Sequence, residues 1–269
     1  MPELPEVETT RRGIAPHLQG RSIVSVVVRQ PKLRWPVAPE VAALRRVPVR
    51  AVRRRAKFLQ LDLPAGQVLI HLGMSGSLRV LPAAQPPGKH DHVDFLLDDG
   101  CLLRFTDPRR FGSILWAARP GHHPLLDALG PEPFDAAFDG EYLFRLSRRR
   151  RVPVKQWIMD NKVVVGVGNI YAQESLFLAG IHPSRQAGRI SLARYQRLSE
   201  VIREVLGAAI EAGGTTLRDF TSADGKPGYF SQSLRVYGRG GLPCPACGAE
   251  LRAGRHGQRA TVWCQSCQR

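Results

Sequence analysis

The pairs Cys244-x2-Cys247 and Cys264-x2-Cys267, separated by sixteen residues, constrain the fold of this chain more than any other pattern in it. Each CxxC turn presents two thiolates to one tetrahedral ion, and a hairpin of this span brings the two pairs together. Four thiolates leave no open coordination position. The spacing therefore predicts one Zn2+ in a structural role, held by Cys244, Cys247, Cys264 and Cys267. Redox CxxC pairs come singly beside a βαβ unit, which this tail does not resemble. Between the pairs stand Arg252, Arg255, His256 and Arg259, an electropositive hairpin suited to a phosphate backbone or a DNA groove. With four thiolates available, His256 reads as a surface or DNA-facing residue and not as a ligand. The fifth cysteine, Cys101, stands in an apolar stretch and reads as a small buried hydrophobe. A secreted disulfide framework is excluded by this usage.

The charge agrees with a polyanionic partner. Lys and Arg number 39 against 23 Asp and Glu, a net charge of +16, and the arginines are spread over both halves of the chain. That distribution predicts a folded protein that binds nucleic acid, with a membrane surface the weaker candidate. No run of about 18 apolar residues exists, and the N-terminus is acidic where a signal peptide is basic. The expectation is a cytoplasmic protein without a membrane span.

Periodicity divides the chain. Glu6–His17 reads as a helix stopped near Gly20. Short β segments follow at Ile23–Arg29, Val49–Arg54, Phe58–Leu63, Val68–Leu72, Leu78–Leu81, Val93–Leu97, Leu102–Phe105 and Ser113–Trp116. Their spacing and their Pro/Gly/Asp turns predict a β-sandwich or flattened barrel. Leu129–Phe138, with Gly130, Pro131 and Pro133, reads as a boundary. Helical spacing takes over at Tyr142–Arg148, Val154–Met159, Asn169–Ala179 and Leu192–Ala212, and Thr215–Phe230 reads as a Gly-, Asp- and Ser-rich loop. The predicted organisation is α+β: residues 1–130 as a sandwich with an N-terminal helix, 131–236 as a helical domain, and 237–269 as a zinc module.

Several residues carry chemistry. Removal of Met1 leaves Pro2 as a secondary amine, and an α-amino group titrates near 7.7–8.0. Such an amine attacking an aldehyde carbon gives an iminium that is already cationic, the electron sink a Schiff-base catalyst needs. Glu3 beside it can move protons. The plainer account is that Pro and Glu simply start a helix. Gly166-Val167-Gly168-Asn169 lacks the third glycine of a dinucleotide motif, because Tyr171 stands there. It reads instead as a turn into a helix capped by Asn169, whose N-terminus suits a phosphate. Asp107-Pro108-Arg109-Arg110-Phe111-Gly112 is a turn with two cations and an aromatic, the composition of a wedge that fills the space of an extruded base. Met74 lies on a glycine-flanked loop. Lys89-His90-Asp91-His92 puts two histidines on one face of a strand with no third metal ligand nearby, so His90 is a phosphate-contact candidate. Lys57 is a cation entering a strand.

Taken in order, MPELPEVE, RRAKF, HLGMSGSLR, KHDHV, TDPRRFG, MDNKVVVGVGNIYA, GGTTLRDF, DGKPGYF, VYGR and QRATVWC resemble the bacterial formamidopyrimidine-DNA glycosylase family along essentially the whole chain. The resemblance implies a base-excision repair enzyme that removes oxidised purines and then cuts the strand. It implies an N-terminal β-sandwich, a helix-two-turn-helix domain and a zinc finger, acting on damaged double-stranded DNA as a monomer. By position it implies Pro2 as nucleophile at the deoxyribose C1′ and Glu3 as general acid and base. Glu6 becomes a buried partner organising the site, Lys57 the proton donor for β-elimination, and Arg259 the residue for δ-elimination. Met74, Arg109 and Phe111 match the triad that fills the void of a flipped nucleotide. His90, Arg109 and Arg150 match DNA contacts and Asn169 a phosphate contact, with any of Arg148–Arg151 able to take the role given to Arg150. Thr215–Phe230 corresponds to the family's oxidised-base recognition loop. Two alternatives accompany this reading: an endonuclease VIII-like glycosylase for oxidised pyrimidines, and a non-catalytic zinc-finger DNA-binding protein.

Overall fold

The computed structural model describes residues 2–214 and 233–269, so the expected recognition loop at 215–230 lies outside the described residues. The chain forms two units, one built on residues up to Asp127 together with 212–214, the other on Ala128–Glu211 and the described part of Phe230–Arg269.

The first unit begins with α1 (Leu4–Leu18). Its first turn is closed by a reciprocal cap: the Glu3 side chain accepts the backbone N–H of Glu6, and Glu6 Oε2 accepts the N–H of Glu3 at 2.8 Å. Two of the orphan donors of a helix start are satisfied in this way. Pro5 sits in the first turn, where its missing N–H costs nothing, so the helix starts before the Glu6 expected from periodicity. Leu4, Val7, Ile14 and Leu18 face the core, and the polar side carries Glu8, bonded to Arg11 at 2.8 Å and to Arg54 at 3.1 Å.

Nine strands follow, interrupted by one-turn helices: β1 (Ser22–Val28), α2 (Pro39–Ala42), β2 (Arg45–Pro48), β3 (Ala51–Arg55), β4 (Phe58–Leu63), β5 (Gly66–His71), β6 (Ser77–Pro82), β7 (Asp91–Leu97), β8 (Cys101–Thr106), β9 (Ser113–Ala117) and α3 (Pro124–Asp127). They make a five-stranded sheet, ordered β2-β1-β7-β8-β6, and a four-stranded one, ordered β3-β4-β5-β9. Every pairing is antiparallel. Val26, Val93, Phe95 and Leu103 from one sheet join Leu59, Leu61, Val68 and Ile70 from the other in a single core, each side chain contributing about 1.5–3 kcal/mol of transfer free energy. The sandwich expected from the sequence is present. The strand expected at Val49–Arg54 is β3, which starts only at Ala51, and β2 (Arg45–Pro48) before it is not among the expected strands. Val49 exchanges hydrogen bonds with the backbone of Gly20 and Arg21 beside the first sheet, while the N–H of Arg50 donates to Asp62 in the second. The chain changes sheets between these two residues, which ends one strand and starts another. Cys101 is half-buried at the edge of the core, not enclosed as its apolar neighbours implied.

The second unit holds α4 (Gly140–Ser147), α5 (Val154–Ile158), α6 (Asn169–Leu178), α7 (Leu192–Glu211) and the hairpin β10 (Arg252–His256) and β11 (Arg259–Trp263). Asp139 caps α4 by accepting the N–H of Tyr142 at 2.7 Å. A Cβ on Gly140 would lie 2.4 Å from the Gln196 backbone of α7, so only glycine permits this close helix approach. The N-cap of α6 is Gly168 and Asn169 occupies its first helical position, which corrects the cap assigned to Asn169. The asparagine side chain turns to the hairpin instead. That hairpin shares a hydrophobic cluster with α6: Phe177 packs with Val236, Cys244, Leu251, Val262 and Cys264. Among the described residues, no helix is long and apolar enough to cross a membrane.

The five-stranded sheet also buries an ion pair. Arg104, 2 % exposed, donates to both oxygens of Asp94 at 2.8 Å and to the carbonyls of Gln85 and Pro86, and Arg29 reaches Asp94 at 2.7 Å. Removing Arg104 leaves buried Asp94 only the partly exposed Arg29 and takes the donor from two carbonyls, in a low dielectric. Arg104→Leu is expected to cost about 3–5 kcal/mol in equilibrium urea unfolding. A loss below about 1 kcal/mol, the size of an exposed pair, would contradict this account of the sheet.

Candidate functional site

The candidate residues divide between the two units. In the first, Pro2 is buried immediately before the capped turn of α1, with Glu3 3 % and Glu6 1 % exposed. The two carboxylates that cap the helix are therefore also the acids nearest in sequence to the proline amine. Gly214 adjoins this turn: a Cβ there would lie 3.1 Å from Glu6 Oε1, and its φ of +81° is one that L side chains rarely adopt.

Lys57 sits half-buried in the β3–β4 turn, after Ala56 in the left-handed conformation (φ 54°). The charge of Lys57 reaches His71, at the end of β5. Burial, then Lys57 and Arg34, push the imidazole down to about 4 against the opposing pull of Asp107. His71 is thus neutral at pH 7. Its Nδ1 accepts the N–H of Gly73 at 3.0 Å, so the proton of the neutral ring is on Nε2, which is left as a donor. Sequence reading singled out Lys57 but passed over His71, whose signal was a lone histidine closing an apolar strand ahead of the Gly73-Met74 loop.

The Met74 and Phe111 loops meet within the same unit. A Cβ on Gly73 would lie 2.4 Å from the backbone of Phe111 and Gly112, and one on Gly112 2.7 Å from the carbonyl of His71. Two glycines thus permit backbone contact that any side chain would block. Asp107, fully buried, ties the loops together: Oδ1 accepts from Ser75 Oγ at 2.8 Å, Oδ2 from the N–H of Gly112 at 2.8 Å, and its carbonyl contacts Nε2 of His92 at 2.8 Å. On this base Met74 is 37 % and Phe111 45 % exposed, unusual for large apolar side chains, and the Arg109 guanidinium lies 5.3 Å from the Phe111 ring centre. His90 precedes β7 and is half-buried, its ring 6.4 Å from that of His92.

In the second unit, Arg148 is engaged internally, donating to the Phe144 and Ile190 carbonyls and to Ser147 Oγ. Arg149, Arg150 and Arg151 are exposed. Asn169 donates to the Ala260 carbonyl at 3.3 Å, joining the start of α6 to the hairpin next to the exposed Arg259. The hairpin is held from several directions. Glu174, 3 % exposed, accepts three successive backbone N–H groups, of Arg235, Val236 and Tyr237, at 2.8–3.0 Å. Gln268 bonds the Ile181 carbonyl and the N–H of Cys264, both at 2.9 Å. His256 is half-buried, 5.4 Å from the Trp263 ring and bonded to Ser184, and stands apart from the four grouped sulfurs. The signal for Gln173 and Glu174 was a polar pair inside an otherwise apolar helix.

The sulfurs of Cys244, Cys247, Cys264 and Cys267 all lie within 4.8 Å of one another. One metal ion fits among them. Crowding opposes joint ionisation: contact with Cys247 and burial are the leading causes that push the Cys267 thiol up to about 12. A cation relieves that repulsion, which makes the donor set one for a metal.

Comparison with known proteins follows the two units. The formamidopyrimidine-DNA glycosylase N-terminal domain matches residues 1–114, and the formamidopyrimidine-DNA glycosylase H2TH domain matches 129–221. Formamidopyrimidine-DNA glycosylase of Alcanivorax borkumensis is 66 % identical over 269 residues and that of Stenotrophomonas maltophilia 64 % over 270, each alignment covering 100 % of both chains. The MutM (Fpg) protein of Thermus thermophilus superposes with a TM-score of 0.89 at 39 % identity, covering 99 % of this chain and 98 % of that one. Lactococcus lactis Fpg, in complex with DNA containing an abasic site, superposes with a TM-score of 0.88 at 30 % identity, covering 99 % of each chain.

A neutral His71 makes stability depend on pH. Its native pKa is depressed, so the unfolded chain takes up a proton first as pH falls. The contribution is whole above about 6.5 and is lost progressively between 6.5 and about 4. His71→Gln is expected to flatten the urea-unfolding free energy of the first unit across that window relative to wild type. Parallel pH profiles for the two proteins would refute the assignment.

Proposed function

Since the chain belongs to the formamidopyrimidine-DNA glycosylase family and is a DNA glycosylase of base-excision repair, we propose that it removes oxidised purines, 8-oxoguanine and formamidopyrimidines, and then cuts the strand by β,δ-elimination. The observation that carries this reading is the burial of Pro2 at the head of a helix whose cap is made by Glu3 and Glu6. Loss of Met1 puts a secondary amine at that point, oriented by two acids.

The Pro2 nitrogen attacks the deoxyribose C1′. The bond from C1′ to the base breaks, and its electron pair leaves with the base, which takes up the proton that the Pro2 nitrogen sheds on becoming bonded to C1′. Glu3 gives a proton to the ring oxygen as the C1′–O4′ bond opens, leaving an iminium between Pro2 and C1′. As a carboxylate, Glu3 then accepts the C2′ proton. A C2′=C3′ double bond forms, and the C3′–O pair departs with the 3′ phosphate, protonated by Lys57. In the δ step the C4′ proton is taken by the same carboxylate after it has exchanged its proton with solvent. A C4′=C5′ bond forms and the C5′–O pair leaves with the 5′ phosphate, whose charge the Arg259 guanidinium receives. Water adding at C1′ frees Pro2. Met74, Arg109 and Phe111 fill the space of the flipped nucleotide, while His90, Arg150 and Asn169 bind the backbone. The functional division is 1–130 for catalysis, 131–236 for the helix-two-turn-helix and 237–269 for the hairpin. Cys244, Cys247, Cys264 and Cys267 hold one Zn2+, which supplies cross-linking of the hairpin and takes part in no bond-making step.

Borohydride reduction with a duplex carrying 8-oxoguanine opposite cytosine is expected to trap the protein covalently through Pro2, and a chain retaining Met1 is expected to trap nothing. A covalent product attached elsewhere would overturn the mechanism. Preferential trapping on a thymine-glycol duplex in competition would instead favour the oxidised-pyrimidine specificity. Elemental analysis is expected to return one zinc per chain, and Cys264→Ala to lose both the zinc and strand cleavage. Full cleavage by a zinc-free chain would contradict the structural role.

A further inference from the structure

The Ala260 carbonyl, one residue beyond Arg259, receives three side-chain donors: Gln173 Nε2 at 3.2 Å, Asn169 Nδ2 at 3.3 Å and Lys155 Nζ at 3.3 Å. The three differ in what else they hold. Lys155, 1 % exposed, bonds Thr261 Oγ1 at 2.7 Å through a single nitrogen. Asn169 is half-exposed at the head of α6. Gln173, 2 % exposed, grips β11 at two points: Oε1 accepts the N–H of Val262 at 2.7 Å while Nε2 donates to Ala260. Nε2 also donates to the Asn169 carbonyl at 2.9 Å, one turn back along α6.

Residues two apart on a strand present their backbone groups to the same side. The Gln173 amide therefore meets the C=O of Ala260 and the N–H of Val262 as a neighbouring strand would, on the edge of β11 that β10 leaves unpaired. A primary amide has the one donor and one acceptor this requires. Its grip sets the position of β11 along α6, and with it the backbone from which exposed Arg259 extends.

We infer that Gln173 is a positioning residue for Arg259, and that it governs the δ-elimination step from inside α6 without touching DNA. The inference rests on the reading of Arg259 given above. Misplacement of a reacting group by about 1 Å costs on the order of a hundredfold in rate, and partial retention by Lys155 and Asn169 reduces the expected loss to about tenfold.

The test uses the full zinc-loaded chain and a duplex with an abasic site, resolving β- from β,δ-elimination products. Gln173→Met keeps the side-chain length and removes both hydrogen bonds. Gln173→Glu keeps the acceptor for Val262 and removes the donor to Ala260. Both are expected to trap with borohydride as wild type does, while the ratio of δ to β product falls about tenfold. In an Arg259→Ala background, Gln173→Met is expected to lower the ratio no further, the signature of two residues acting as one unit. If Gln173→Met fails to retain zinc, Gln173→Glu decides. An unchanged ratio in the zinc-retaining variant overturns the inference, as does an equal fall in trapping and in both products, which marks a merely structural role. An Arg259→Ala chain with a normal ratio instead refutes the role of Arg259 itself.

Discussion

The hydrogen bonds exchanged between Glu3 and Glu6 are the constraint from which the first unit is organised. They satisfy the head of α1, and α1 in turn packs on β3, whose following turn carries Lys57. A capping box built from two acids is an unusual choice, because serine or threonine caps more readily. The role proposed for Glu3 accounts for the choice, since a group that starts the helix would also exchange protons with a sugar. On that proposal fold and chemistry use the same atoms, so the helix start and the Pro2 amine cannot drift apart. Any substitution there must be read for stability as well as for activity.

The second unit repeats this economy. α6 meets the hairpin through apolar Phe177 and through polar Gln173 and Glu174, which satisfy backbone groups of 235–237, 260 and 262. Four cysteines alone would make a small module tethered to a domain. The shared cluster of Phe177, Val236, Leu251 and Val262, with these buried amide and carboxylate contacts, makes the hairpin part of the helical unit. Buried polar groups cost free energy when unpaired, so the hairpin is specified by direction as well as by hydrophobic contact.

Much of this was legible in the residues. The cysteine spacing located the hairpin because metal coordination tolerates few alternatives. Eight of the nine sandwich strands were visible because each alternates or runs apolar between turn residues, whereas β2 (Arg45–Pro48) carries no such pattern. The change of sheet at Val49-Arg50 was hidden, since it depends on which sheet offers partners to two adjacent residues and leaves no mark in periodicity. The same holds for His71, Asp107 and Gln173. Each is a common polar residue whose meaning comes from what the fold sets beside it: a lysine, two glycine loops, or the free edge of a strand. Asn169 was misread as a cap because local pattern favours asparagine there, while Gly168 fills the position and the asparagine is drawn to a distant carbonyl.

Under the wedge role proposed for Met74 and Phe111, the glycine contact beneath them bears on how an intact duplex is told from a damaged one. Gly73 and Gly112 let the two loops touch backbone to backbone, and the Asp107 carboxylate closes them. The entropy of ordering those loops is therefore lost when the protein folds, not when it meets DNA. Insertion of the apolar side chains is then opposed mainly by the duplex, through the work of unstacking a base pair. That work is smaller at a lesion or mismatch. On that proposal, discrimination at this surface becomes a property of the DNA's own mechanics.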